Sequence, residues 1–150
     1  MYYLAYGSNL NVEQMAYRCP NATAEGVAML YDYRLVYKGS KTGSYLTIEP
    51  SKGDAVPLGV WHTNRIDELA LDTYEGYPSF YSKRRLYINV RFFDGTTEKV
   101  PAYVYIMNDD RPYGIPREGY IHTCLQGYRD FGFKRFYLDK ALIDTYKKLK

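Results

Sequence analysis

The chain has 150 residues, 46% of them hydrophobic and 25% charged, with a formal net charge of +3. That length suits one domain spanning residues 1–150, and the balance is that of an ordinary folded protein. The basic residues are scattered apart from Lys83-Arg84-Arg85 and Lys147-Lys148-Lys150, which read as solvated faces, so the charge does not point to nucleic acid.

In chain order, "YYLAY" at 2–6 reads as a short buried strand that turns sharply through Gly7, Ser8 and Asn9. "LNVEQMAYRC" follows as a helix. Asn11 is its N-cap, with Gln14 at capping-box spacing, Met15 and Cys19 facing the core, and Pro20 ending it. "TAEGVAMLYDYRLVYKG" has no helical period and predicts a strand bent near Tyr31-Asp32. "SYLTIEPS" and "AVPLGVWHT" are read as two further strands, with Gly59 in the second marking a bulge or the close approach of a ligand.

"NRIDELALDTYEGY" is a second helix capped by Asn64 and stopped by Gly76, with Pro78 beyond. Residues 80–93 and 98–107 form a hairpin about Asp94-Gly95. "IPREGYIHTCLQGYRDFG" is a third helix, with Pro116 in its first turn and Gly127 near its end, and "LDKALIDTYKKLK" is a terminal helix. Six or seven strands mixed with three or four helices, without regular βαβ alternation or repeats, predict an α+β fold built on a curled sheet or barrel.

Residue chemistry narrows the function. The 19 tyrosines suit a β-rich fold with polar-tipped walls around a cavity, although compositional bias accounts for part of them. Cys19 and Cys124 cannot build a metal site alone, and His62 and His122 do not sit at ligand spacing to them. No apolar run approaches the roughly 18 residues of a membrane span, and nothing before the first strand has the form of a signal peptide, so a cytoplasmic protein with reduced thiols is expected.

Glu75 ends a helix, where the backbone dipole is negative, among Tyr74, Tyr77, Phe80 and Tyr81. A carboxylate so placed should have a raised pKa and could serve as a base or acid. Read on local sequence alone, the simpler reading is an ordinary exposed last-turn glutamate. The Gly7-Ser8-Asn9 turn offers backbone N–H groups as an anion nest. Ser8 as a nucleophile lacks a sequence-placed His or Lys to activate it.

"YGSN" after the first strand, combined with "LDTYEGYPSFY" past the second helix, resembles the γ-glutamylcyclotransferase family. "RCP", "GVAMLYDYRLVY", "PLGVWHTN", "PAYVYIM" and "PREGYIHTCLQGY" agree with it, and the resemblance covers residues 2–130. It implies a mixed β-barrel surrounded by helices, no cofactor, and cyclisation of a γ-glutamyl group to 5-oxoproline with release of an amine. It places the catalytic glutamate on Glu75 and the substrate loop on Tyr6, Gly7, Ser8, Asn9 and Leu10. It adds site tyrosines at Tyr81 and at Tyr105 rather than Tyr103.

The implied partner is a small γ-glutamyl compound. Neither nucleic acid nor membrane is implied, and monomer and homodimer both stay open. Two related readings are a γ-glutamylamine cyclotransferase, a branch that tends towards "YGTL" in the first loop, and a cyclotransferase that removes γ-glutamyl groups from natural products. A single-stranded nucleic-acid-binding β protein with stacking tyrosines is the non-enzyme alternative, but the basic-aromatic run it needs is absent. A catalytically dead metabolite-binding fold is opposed by the intact Glu75.

Overall fold

The computed structural model describes residues 1–40 and 43–150. Five strands, β1 Tyr2–Ala5, β2 Thr23–Ser40, β3 Gly43–His62, β4 Tyr81–Phe92 and β5 Thr97–Met107, close into a barrel in the order β1-β3-β2-β4-β5. All neighbouring pairs are antiparallel except β1 with β5, where Tyr2 and Tyr3 lie opposite Ala102 and Tyr103. The barrel is therefore mixed, as the resemblance implied. Four helices surround it: α1 Val12–Arg18, α2 Arg65–Glu75, α3 Glu118–Phe131 and α4 Phe136–Leu149. A 3-10 turn at Ser8–Leu10 joins β1 to α1.

Among the described residues the strand count is five and not six or seven. The stretches 44–51 and 55–63 fall, but for Thr63, within one strand, β3, which pairs with β2 along nearly its whole length. The interruption read between them is a distortion within the hairpin. Tyr31 pairs with Ala55 and Tyr33 with Pro50, leaving Asp32 (φ 64°) opposite a stretch that contains Gly53 (φ 86°). The Asp32 carboxylate accepts the Gly53 N–H at 3.0 Å. The bend expected near Tyr31-Asp32 is this bulge.

Helix ends follow their sequence signals. Asn11 Oδ1 accepts the Gln14 N–H at 3.0 Å, and Asn64 and Asp67 form a complete capping box. Gly76 adopts the left-handed conformation that stops α2 immediately after Glu75, and the Tyr77 N–H closes on Asp72 O. The α3 boundaries shift slightly. Its first residue is Glu118, so Pro116 lies just outside, and the capping glycine is Gly132 (φ 73°).

Two glycines read otherwise than expected. A Cβ on Gly59 would sit 2.5 Å from Leu10 Cδ2 and 2.7 Å from the Phe131 ring, so this strand position is approached by protein and not by a ligand. Gly127 is an interior helical residue. A Cβ there would lie 2.6 Å from the Asn11 nitrogen and 2.7 Å from Leu10 C. Leu10, fully buried, is the plug between them. This contact seats α3 directly against the turn that follows β1.

Helix α2 is fastened by charge as well as by Leu71. Glu68, which is fully buried, accepts from Lys83 Nζ at 2.6 Å, from Arg65 at 3.0 Å and from Arg85 at 3.3 Å. Lys83 also reaches Asp72 at 2.9 Å, and Asp72 accepts the Tyr105 hydroxyl at 2.6 Å. Both cysteines are buried and free. Among the described residues no helix is long and apolar enough to cross a membrane.

Because its added methyl would meet backbone, Gly127→Ala should destabilise the fold by about 1–3 kcal/mol, the usual cost of overpacking. Urea unfolding followed by circular dichroism measures this. A midpoint equal to wild type would mean that α3 does not bear on the turn.

Candidate active site

β1 and β5 run parallel, so both end at the same rim of the barrel, and β4 begins there because Tyr81 pairs with Met107. The last turn of α2 and the 3-10 turn after β1 reach this rim, and together they enclose a cavity of about 430 Å³. That volume is within the range of small-molecule sites. Tyr6, Gly7, Ser8, Asn9, Glu75, Tyr81 and Tyr105 all line it, so seven of the eight residues singled out from the sequence meet in one place. Leu10 does not. The 3-10 turn rotates its side chain beneath the loop, and its N–H is spent on Gly7 O at 3.1 Å. Its role is corrected from substrate contact to packing.

Glu75 is half-buried, with its carboxylate crowded by protein atoms on the cavity wall. Loss of solvent raises its pKa to about 7, against a smaller opposing pull from the Arg18 guanidinium. Asn9 Nδ2 lies 3.5 Å from Glu75 Oε1 and donates to Tyr3 Oη at 2.9 Å. The loop itself is rigid by contact. Trp61 Nε1 donates to Asn9 O at 3.0 Å, and the Asn11 N–H donates to Ser8 O. The first N–H groups of a helical turn have no partner within it, so those of Gly7, Ser8 and Asn9 are the donors this loop can offer to a ligand. Ser8 Oγ lies 3.1 Å from Tyr74 Oη, a phenol and not a base.

Most of the remaining wall is aromatic, with Leu4, Ser40, Leu46, Thr73 and Gly76 filling it out. Tyr3, Tyr6, Tyr45, Tyr74, Tyr81, Tyr105 and Tyr120 contribute, together with Phe80. Their hydroxyls are largely tied down: Tyr6 donates to Tyr105 O, Tyr81 to Leu46 O and Tyr105 to Asp72, while Tyr120 Oη accepts the Leu46 N–H. Burial pushes the phenols of Tyr3, Tyr6, Tyr81, Tyr105 and Tyr120 upward. They remain neutral, so the carboxyl group of Glu75 is the acid–base group of the described wall that can change charge near neutrality.

Sequence reading missed Tyr3, Tyr45 and Tyr120. Tyr3 lies opposite Tyr103 and packs its ring against that of Tyr105 through the parallel β1–β5 pairing, which no local pattern reveals. Tyr120 stood within a quoted helix motif but carried no sign of facing the cavity. Gly7 has an ordinary negative φ of −127°. A side chain there would be crowded: a Cβ would lie 3.2 Å from Tyr120 Oη, which would have to give way by a few tenths of an ångström, and in van der Waals contact with Leu46 at 3.5 Å.

A family model described as γ-glutamyl cyclotransferase, AIG2-like, matches residues 3–122. The chain belongs to this family. A human γ-glutamylcyclotransferase is 40% identical over 147 residues, covering 92% of this chain and 75% of that protein. A bovine γ-glutamylcyclotransferase is 40% identical over 84 residues, 51% of this chain and 45% of that protein. A solved structure named γ-glutamyl cyclotransferase superposes with a TM-score of 0.79 at 29% identity, covering 94% of this chain and 85% of that one. The barrel with its surrounding helices is thus the family fold.

The position of Glu75 has a consequence for stability. Its carboxyl ionises near 4.5 when unfolded and near 7 in the fold. Below 4.5 both states are protonated. As pH rises from there to about 7 the unfolded state ionises first, so stability is progressively lost. Glu75→Gln escapes this loss. Its melting temperature relative to wild type should therefore be higher at pH 8 than at pH 4.5, by differential scanning fluorimetry. An unchanging difference would show that Glu75 titrates as a solvated carboxylate.

Proposed function

We propose that this protein is a γ-glutamylcyclotransferase that converts a γ-glutamyl compound to 5-oxoproline and a free amine, with Glu75 as the group that moves the proton. The observation that carries this reading is the desolvated carboxyl of Glu75 on the cavity wall opposite the Gly7-Ser8-Asn9 loop. Family membership and the activity for which the human and bovine relatives are named support it.

The reaction follows from these groups. The substrate's α-amine, cationic at neutral pH, must lose a proton before it can attack the side-chain amide carbonyl. A reference amine near ~8 and a reference glutamate near ~4.3 are separated by about 3–4 units, roughly 5 kcal/mol. With Glu75 raised to about 7, the gap to that amine shrinks to about 1 unit, roughly 1.4 kcal/mol. The carboxylate takes the proton, and the amine nitrogen bonds to the carbonyl carbon. The attacking nitrogen then sheds its remaining extra proton to solvent, and the tetrahedral intermediate collapses with cleavage of the original amide C–N bond. Glu75 returns the proton to the departing nitrogen, which cannot leave as an anion.

The loop N–H groups hold an anionic part of the substrate, either the α-carboxylate or the oxygen that gains charge on the carbonyl. The folded-back substrate fits a cavity closed on several sides by rings, and holding amine against carbonyl removes an entropic cost. Direct cyclisation uses no serine nucleophile, consistent with the phenolic partner of Ser8.

Incubation with a panel of γ-glutamyl amino acids, γ-glutamyl-ε-lysine and glutathione, with assay of 5-oxoproline, tests the activity. No product from any member would refute it. Glu75→Gln should lower kcat by ~10²–10⁴-fold, and the acidic limb of wild-type kcat/KM should fall near pH 7. A limb at or below about pH 4, the solvated value, would remove Glu75 from the role. If the loop works through its backbone, Gly7→Val should harm turnover more than Ser8→Ala. The reverse order, or a covalent glutamyl-enzyme trapped by mass spectrometry, would replace direct cyclisation with a serine mechanism.

A further inference from the structure

Arg18 closes α1 and lies outside the residues lining the cavity, yet it touches both halves of the site. Nη1 donates to Asn9 Oδ1 at 2.9 Å and Nη2 to Gln14 Oε1 at 3.0 Å. The guanidinium carbon stands 3.5 Å from the centre of the Tyr74 ring, the residue before Glu75. A planar fork that bonds two oxygens while stacking on a ring is an arginine geometry that lysine cannot reproduce.

The bond to Asn9 has a directional consequence. Guanidinium groups only donate, so the amide must present Oδ1 to Arg18. Its Nδ2 is thereby turned towards Tyr3 Oη, at 2.9 Å, and Glu75 Oε1, at 3.5 Å. The opposite amide orientation would set N–H against N–H. Asn9 is 3% exposed, so water offers no alternative partner.

We propose that Arg18 is a positioning residue for the Glu75 proton transfer: it locks the Asn9 amide with its N–H edge towards the carboxyl and clamps Tyr74, so that the substrate loop and the end of α2 keep one relative geometry. This rests on the reading of Glu75 as the acid–base group. The titratable residues that line the cavity with Glu75 are Tyr3 and Tyr6 from the β1 segment, Tyr45 from β3, Tyr81 from β4, Tyr105 from β5, Tyr120 from α3 and Tyr74 on its own helix. The nearby charges of Lys83, Glu68 and Asp72 pair with one another. Arg18 is accordingly the cation whose field Glu75 feels. Its removal leaves burial unopposed and favours the protonated carboxyl, which cannot accept the amine's proton.

The test compares wild type, Arg18→Lys, Arg18→Met, Asn9→Ala and the Arg18→Met/Asn9→Ala double variant. Arg18→Met should move the acidic limb of kcat/KM upward by about one pH unit. It should also lower kcat well beyond any change in KM, by about tenfold or more, since a misplacement near 1 Å can cost ~10²-fold. Arg18→Lys, which keeps the charge, should leave the limb nearer to wild type but still lose kcat. The double variant should be little worse than Asn9→Ala alone, because both changes break one linkage. Fluorescence of Trp61, the single tryptophan and a donor to Asn9 O, reports whether each variant keeps the loop folded. Should Arg18→Met not fold, Arg18→Lys and its double with Asn9→Ala still test the loss of kcat and its coupling to Asn9, and a kcat of Arg18→Lys within twofold of wild type would overturn the proposal.

An unmoved limb with kcat within twofold of wild type, or losses that simply add, would overturn the role of Arg18. Glu75→Gln measured alongside separates the two ideas. If it stays active, the reading of Glu75 fails. If it is inactive while Arg18→Met behaves as wild type, only the present inference fails.

Discussion

The buried ion cluster under α2 is the constraint on which the site depends. Glu68 has no solvent exposure and is held by Lys83, which also grips Asp72. Removing one member of such a cluster leaves an uncompensated buried charge, a loss of about 3–5 kcal/mol. This anchoring fixes α2 one turn before its end, and Asp72 in turn receives the Tyr105 hydroxyl from β5. Glu75 follows three residues later on the same helix and is carried to the rim by that attachment. A helix held only by Leu71 could slide or roll on the barrel, and the carboxyl would lose its place above the cavity.

Charge is partitioned by this arrangement. The strong ion pairs lie on the flank of α2 that faces the barrel wall, while the cavity side is walled by phenols whose hydroxyls are committed to backbone or side-chain partners. A phenol buries a large apolar ring and still satisfies its polar tip, so rings cover the wall while the hydroxyls of Tyr3, Tyr6, Tyr74, Tyr81, Tyr105 and Tyr120 keep partners. In that setting one carboxyl is pushed up towards neutrality while Glu68, two turns earlier on the helix, is held below the usual carboxylate range: burial pushes it upward, but its bonds to Lys83 and Arg65 together outweigh that push. Two environments on one helix thus assign structural and chemical work to residues of the same charge.

The approach of α3 supplies the third element. Gly127 and Gly59 lack side chains where Leu10 must fit, so the segment after β1 is gripped between α3 and β3. The same helix brings Tyr120 to the loop, where its hydroxyl receives Leu46 N–H. Trp61 on β3 holds the Asn9 carbonyl. The loop that faces Glu75 is therefore braced by parts of the chain about 50 and more than 100 residues away.

Much of this was legible in the sequence. Caps at Asn11 and Asn64, the stop at Gly76 and the Asp94-Gly95 hairpin are local signals, set by backbone geometry within a few residues, and each marks a real boundary. The pairing of the "YGSN" turn with Glu75 was legible only through family resemblance, since no periodicity connects residues so far apart. What sequence misjudged was long-range. Two strands were read where β3 is one, because a bulge and a break look alike until the partner strand is known. Leu10 was read as a site residue because its neighbours are, although one turn of 3-10 helix points it inward. Gly59 and Gly127 carried packing that only the approach of another element explains. Arg18 and Tyr120 gave no local sign of their importance. Their positions are settled by which surfaces meet when the barrel closes, and closure depends on all the strands at once.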